Sequence, residues 1–151
     1  MDLREILADI HALEKELLDA EQFPSVCHST VTLVRMGVSL ARRSGELHFD
    51  QEIRFVVRER LLYHRLPAVI DWYGYEARPG AEKLYWYDSL PHPNDPTLQS
   101  THPHHKHIPP DIKHHRIPAP EMSFSRPKLP ALIREIETII ATNTSDSESL
   151  A

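Results

Sequence analysis

A single cysteine, Cys27, excludes an intrachain disulfide and any cysteine-ligated zinc finger. Its isolation fits a reducing compartment. Only four glycines are present, none in a G-x-G-x-x-G or P-loop spacing, so a phosphate-cradling nucleotide loop is excluded. There is no G-x-S-x-G nucleophile elbow either. No apolar run approaches the roughly 18 residues needed to cross a membrane. The opening MDLREILADI carries acids instead of a basic flank and apolar run, so no export signal is expected. The expected location is cytoplasmic, without a membrane partner. Basic residues are the scarcer sign, 17 against 22 acidic, for a net charge of −5. That argues against a surface that binds nucleic acid throughout, but leaves room for a local cationic strip.

Proline and histidine are what the chain has in plenty. Most of its 13 prolines fall between Pro91 and Pro130. Residues 100–116 read STHPHHKHIPPDIKHHR, with six histidines, three prolines and a single acid, Asp111. Loops beyond about 12–15 residues in a compact domain are usually functional or disordered. The stretch 89–124 keeps apolar anchors (Leu98, Ile108, Ile112, Ile117, Met122, Phe124), which predicts an ordered, irregular segment.

The flanking pattern predicts an α+β fold. Leu3, Ile6, Leu7, Ile10, Leu13 and Leu17 recur at helical spacing over residues 3–18, with Asp2 as N-cap. The period then drops to two, predicting strands at 30–36 and 45–57. Two further strands at 69–77 and 83–88 are joined by a turn at 78–82, as a hairpin. Tyr73 and Tyr75 should share a face opposite Trp72, and Tyr85 and Tyr87 a face opposite Trp86 and Asp88. Residues 58–65 fit a strand extension or a short helix. A second helix is predicted over 127–141, with Ser125 as its cap. The expected product is one domain over 1–142. It comprises an antiparallel sheet of three to four or more strands, flanked by N- and C-terminal helices, with a disordered acidic tail at 143–151.

Two chemistries compete for the histidines. His102, His104, His105 and His107 form His-x-His pairs that could hold a transition metal. Lys106 stands between them, however, and no acidic ligand lies within the motif, so a metal-free reading is preferred and no metal or other cofactor is called for. RNA cleavage by its own 2′-hydroxyl needs a base, an acid and positive charge for the phosphorane, which His, Lys, Arg and Tyr supply near neutral pH. The catalytic candidates are His104, His105, His107 and Lys106, supported by Tyr87, Asp88 and Glu52. His92, His102, Lys113, Arg116, Tyr73 and Tyr75 are substrate-binding candidates. The ordinary alternative is that strand tyrosines pack across strands and loop histidines are solvated; His114 and His115 fit the latter.

The run LYWYDSLPH at 84–92, followed by THPHHKH at 101–107, resembles the TumE family of prokaryotic toxins from toxin–antitoxin pairs. Tyr87, Asp88, Pro91 and His92 match the first motif, and Pro103, His104, His105, Lys106 and His107 the second. The stretch LHF with Glu52, and DWYGY at 71–75, resemble further family strands. Ser89 stands where the family usually has Asn, and His102 where it has an aromatic. The resemblance implies a growth-arresting toxin and a cognate antitoxin, commonly a small helix-turn-helix protein. An RNA target is a common theme of such toxins, whereas the ribonuclease chemistry is read from the residues. The alternatives are a non-enzymatic protein docking through the Pro/His segment, and a metal-binding hydrolase.

Overall fold

The computed structural model describes residues 2–5, 7–8, 11–12, 15, 23–64, 68–124 and 129–149. Among the described residues eight strands form one antiparallel sheet: β1 His28–Ser29, β2 Thr32–Arg35, β3 Leu40–His48, β4 Ile53–Leu62, β5 Val69–Pro79, β6 Tyr85–Asp88, β7 His105–His107 and β8 Arg116–Pro118. The order is β1-β3-β4-β5-β6-β7-β8, with β2 following β1 along the same edge of β3. Between these two edge pieces the chain passes over Gly45, whose φ is +145°. A Cβ there would lie 2.6 Å from the Thr30 carbonyl oxygen and 2.6 Å from the Val31 Cα, an approach only glycine admits.

Alternation gives the sheet two unlike faces. Leu47, Phe55, Val57, Leu61, Tyr73, Tyr75 and Ala77 are buried on one face. They pack with Leu129, Leu132, Ile133 and Ile136 of the C-terminal helix, Leu129–Ser149. Within this core lies a buried ion pair: Arg43 donates to Glu59 at 2.7 Å, and the Tyr75 hydroxyl donates to the same carboxylate at 3.0 Å. On the opposite face the same strands carry Arg42, Arg54, Arg58, Arg60 and Trp72.

Three features depart from the sequence pattern. The predicted strand at 45–57 is a hairpin, because residues 49–52 turn with Gln51 and Glu52 at positive φ. The turn keeps the parity of the alternation, so Leu47, Phe49, Ile53, Phe55 and Val57 look like one strand although they lie on two. Residues 58–62 extend β4, and the 69–77 and 83–88 strands form the expected hairpin. The C-terminal helix continues to Ser149, where the composition predicts a disordered tail from 143. Thr138, Thr142 and Thr144 each turn their hydroxyl back onto a carbonyl four residues earlier, and Gln51 bonds the Ile140 carbonyl and the Thr144 hydroxyl. Finally, the stretch 89–124 is not wholly irregular: it contributes β7, β8 and a 3₁₀ turn at Pro96–Thr101.

At the N-terminus, residues 3–5, 7–8, 11–12 and 15 are helical. Asp2 caps them by accepting the Arg4 N–H. Ile6, Ile10, Leu13 and Leu17 of the predicted stripe, and Ser125 of the second cap, lie outside the described residues.

Candidate functional site

The strand β7 is three residues long and pairs on both sides. His105 lies opposite Asp88 and Pro118, Lys106 opposite Tyr87 and Ile117, and His107 opposite Trp86 and Arg116. A strand sends successive side chains to opposite faces. The block Pro103–His107, continuous in sequence, is therefore split by the sheet into two groups.

One group faces the C-terminal helix. Lys106 donates to Glu135 of that helix at 2.6 Å, and its ammonium lies 4.3 Å from the Tyr85 ring centre and 4.9 Å from that of Tyr87. The Tyr87 hydroxyl donates to the other Glu135 oxygen at 2.8 Å. Burial, then the adjoining carboxylate, holds the Tyr87 hydroxyl well above the ordinary phenol range. His104 lies with its Nδ1 2.6 Å from the Tyr73 hydroxyl and its ring parallel to Tyr73. Burial lowers its basicity, and neighbouring histidines lower it further. Tyr75 is wholly enclosed.

The second group faces away from the helix. His105 is 1 % exposed and His107 5 % exposed. His105 Nδ1 is 3.0 Å from the Pro103 carbonyl and His107 Nδ1 is 2.8 Å from the Ile112 carbonyl. A carbonyl can only accept, so both Nδ1 atoms carry hydrogen. In the neutral rings both Nε2 atoms then present lone pairs, and these atoms are 3.1 Å apart. Asp88 completes the group, with ligand atoms of all three residues within 4.8 Å of one another. Its Oδ1 accepts the Leu90 N–H, which orients the carboxylate. Trp86 stacks on His107 with ring centres 3.8 Å apart, and burial pulls the His107 basicity down to about 4. His92 meets the His105 ring edge-on at 4.9 Å, and its Nδ1 accepts from Arg116 at 2.9 Å. Burial first, then Arg116 and His105, lower the His92 basicity.

The cross-strand row continues the site over the sheet. Ser44, Arg58, Gly74, Asp88, His105 and Pro118 are successive register partners from β3 to β8. Arg42, Arg58, Arg60 and Trp72 line a depression of about 510 Å³ at one end of this face. Between that depression and Asp88 lies Gly74, where a Cβ would meet the edge of the Trp72 ring at 3.9 Å.

Of the remaining candidates, Glu52 lies at the β3–β4 turn, its carbonyl bonded to the Gly80 N–H, two strands from the histidine cluster. His102 and Lys113 are exposed. Trp86, Arg58 and the Arg42–Arg60–Trp72 depression were not singled out from sequence. Their signal is the polar phase of each strand, which becomes a surface only once the register is known.

By its fold and side chains the chain is a small antiparallel-sheet protein, closed by a helix on one side and bearing a histidine–carboxylate cluster and arginines on the other. The family model described as Toxin TumE matches residues 14–140, and the chain belongs to that family. It is thus a toxin of a toxin–antitoxin system, with an antitoxin as its partner. No curated protein and no solved structure matches it significantly. No helix among the described residues is long and apolar enough to cross a membrane.

Proposed function

We propose that this toxin acts on RNA and breaks a phosphodiester bond at the open-face cluster of Asp88, His92, His105 and His107. The observation that carries the reading is the convergence of Asp88, His105 and His107 in the same cross-strand rows as Arg58 and Arg116, with His92 packed edge-on against His105. A phosphodiester needs positive charge around its non-bridging oxygens, and a group to move a proton between the 2′-hydroxyl and the leaving oxygen. Arg116 and Arg58 supply charge on either side of the cluster. His92, half-buried beside Arg116, has its Nδ1 lone pair engaged by that guanidinium and its hydrogen on Nε2, so it is placed to donate a hydrogen bond to a phosphodiester oxygen. The Nε2 lone pairs of His105 and His107 are the ones open to a proton.

The Arg42–Arg58–Arg60–Trp72 depression suits a flanking nucleotide. An indole with 40 % of its surface exposed offers a stacking face. Arg60 is held by Asp71 at 2.7 Å and 2.8 Å and Arg58 lies 3.4 Å from Glu76, so Arg42 and the remaining N–H groups of these two would meet the phosphate. With Arg42 standing beside the Arg58–Glu76 and Arg60–Asp71 pairs, the balance of charge at this depression is positive, although the net charge of the chain is −5. Lys106 is not part of the reaction centre in this reading, since it points to the other face and is held by Glu135. The antitoxin, expected to be a small helix-turn-helix protein, would silence the toxin by covering this face.

The test is cleavage of a short single-stranded RNA by purified protein, wild type against His107→Asn. Asparagine keeps a donor for the Ile112 carbonyl and removes Nε2. Loss of cleavage and of growth arrest, with the fold retained, is expected. Growth arrest that survives in His105→Asn and His107→Asn would instead favour a toxin that works by docking.

A further inference from the structure

We infer that Asp88, His105 and His107 form a binding site for one divalent first-row transition-metal ion of the zinc, manganese or iron type. The argument is geometric. Each imidazole is anchored through Nδ1–H to a backbone carbonyl, the outer-shell arrangement that fixes the tautomer of metal-ligating histidines. Both remaining nitrogens are turned onto one point, and in neutral rings two lone pairs 3.1 Å apart repel unless a cation lies between them. An ion at the usual metal–nitrogen distance of about 2.0–2.1 Å from each would see them at an angle of roughly 95–102°. That lies between octahedral and tetrahedral values. Asp88 adds a hard oxygen donor, directly across the sheet from His105. Two imidazoles and a carboxylate on one side of an ion leave its other positions for water or a substrate oxygen.

Two features of the sequence pointed away from a metal, and the fold removes both. Lys106 sits between the histidines in sequence, but its ammonium is on the far side of the sheet against Glu135. The motif itself lacks an acid, but pairing of β6 with β7 brings in Asp88. Trp86 stacked over His107 and the near-complete burial of both rings hold the two nitrogens in place.

The inference deepens the RNA-cleavage reading and rests on it only for its purpose: the ion supplies the positive charge at the phosphorus that Lys106 cannot. A water held by the ion would then be the group that exchanges the proton, and His92, outside the ligand set, would donate its Nε2–H to a phosphate oxygen. Binding is measured without RNA, so failure of either reading is distinguishable from failure of the other.

The experiment uses tag-free protein stripped with chelator and titrated with Co²⁺ and Zn²⁺, followed by visible absorption of the cobalt form and by elemental analysis after gel filtration. About one equivalent should be retained, with visible bands reporting nitrogen ligation. His105→Asn and His107→Asn should each weaken binding about 100-fold or more, and the near-isosteric Asp88→Asn by about 10- to 100-fold. His114→Asn, on the exposed loop, should bind like wild type. Circular dichroism of each variant separates loss of the site from loss of the fold, and Asp88→Asn keeps the test open if a histidine variant unfolds. Retention below about a tenth of an equivalent by folded wild type would overturn the inference and leave a proton shared by the two nitrogens. So would equal binding by wild type and a folded His105→Asn/His107→Asn double variant.

Discussion

Lys106 stands in the middle of the motif that most resembles a catalytic block, yet its geometry is that of a structural tie. Its ammonium bonds Glu135 at 2.6 Å, and the two side chains are 21 % and 30 % exposed. A charge-assisted hydrogen bond contributes about 1.5–3 kcal/mol, and partial exposure reduces this to about 1–2 kcal/mol. The faces of Tyr85 and Tyr87 add about 0.5–1 kcal/mol. Lys106→Met keeps the apolar stem and removes only the ammonium, so it should cost about 2 kcal/mol and lower the melting temperature by roughly 4–8 °C. Glu135→Gln should cost a similar amount, and the double variant should lose about 1 kcal/mol less than the sum of the singles. The assay is urea unfolding of the four proteins, with RNA cleavage measured at a temperature where all are folded. Cleavage should be retained in all four. A Lys106→Met protein with unchanged stability and abolished cleavage would refute the reasoning and return Lys106 to the reaction centre.

Other outcomes follow from the same structure. Gly45→Ala should destabilise the protein by about 1–3 kcal/mol or more in urea, because its Cβ would enter the backbone of Thr30 and Val31. Tyr73, Tyr75, Tyr85 and Tyr87 are all held above the ordinary phenol range, chiefly by burial. Their contribution to stability is therefore full below about pH 10, the unfolded value, and is lost as pH rises toward the folded values. Phenolate absorbance of these four should appear together with unfolding, and gradual ionisation in the folded protein would contradict that. Arg58→Gln should lower RNA affinity and reduce the slope of log affinity against log salt by about one, as expected for one lost phosphate contact.

Much of the fold could be read in the sequence, because side-chain period carries it. Tyr73 and Tyr75 opposite Trp72, and Tyr85 and Tyr87 opposite Trp86, lie as alternation predicts. The β3–β4 turn escaped the pattern because four residues preserve the parity of a two-residue period, and its positive φ values fall on Gln51 and Glu52, where no glycine marks them. The site was legible in its residues but not in its grouping. His105, His107, Asp88, His92 and Arg116 stand out in the sequence by type, whereas their separation from Lys106, His104 and Tyr87 depends on β7 being a strand. Three residues between prolines carry too little period to reveal that. Glu135 lies 29 positions from Lys106, and local sequence gives no sign of the contact.

The central claim is that the open face of the sheet, rather than the helix-covered face, does the work of the toxin. The most direct measurement compares RNA integrity after induction of wild type, His107→Asn and Lys106→Met at equal levels of folded protein. Intact RNA with His107→Asn and degraded RNA with wild type and Lys106→Met is the predicted result. Degraded RNA with His107→Asn, or intact RNA with Lys106→Met, would contradict it.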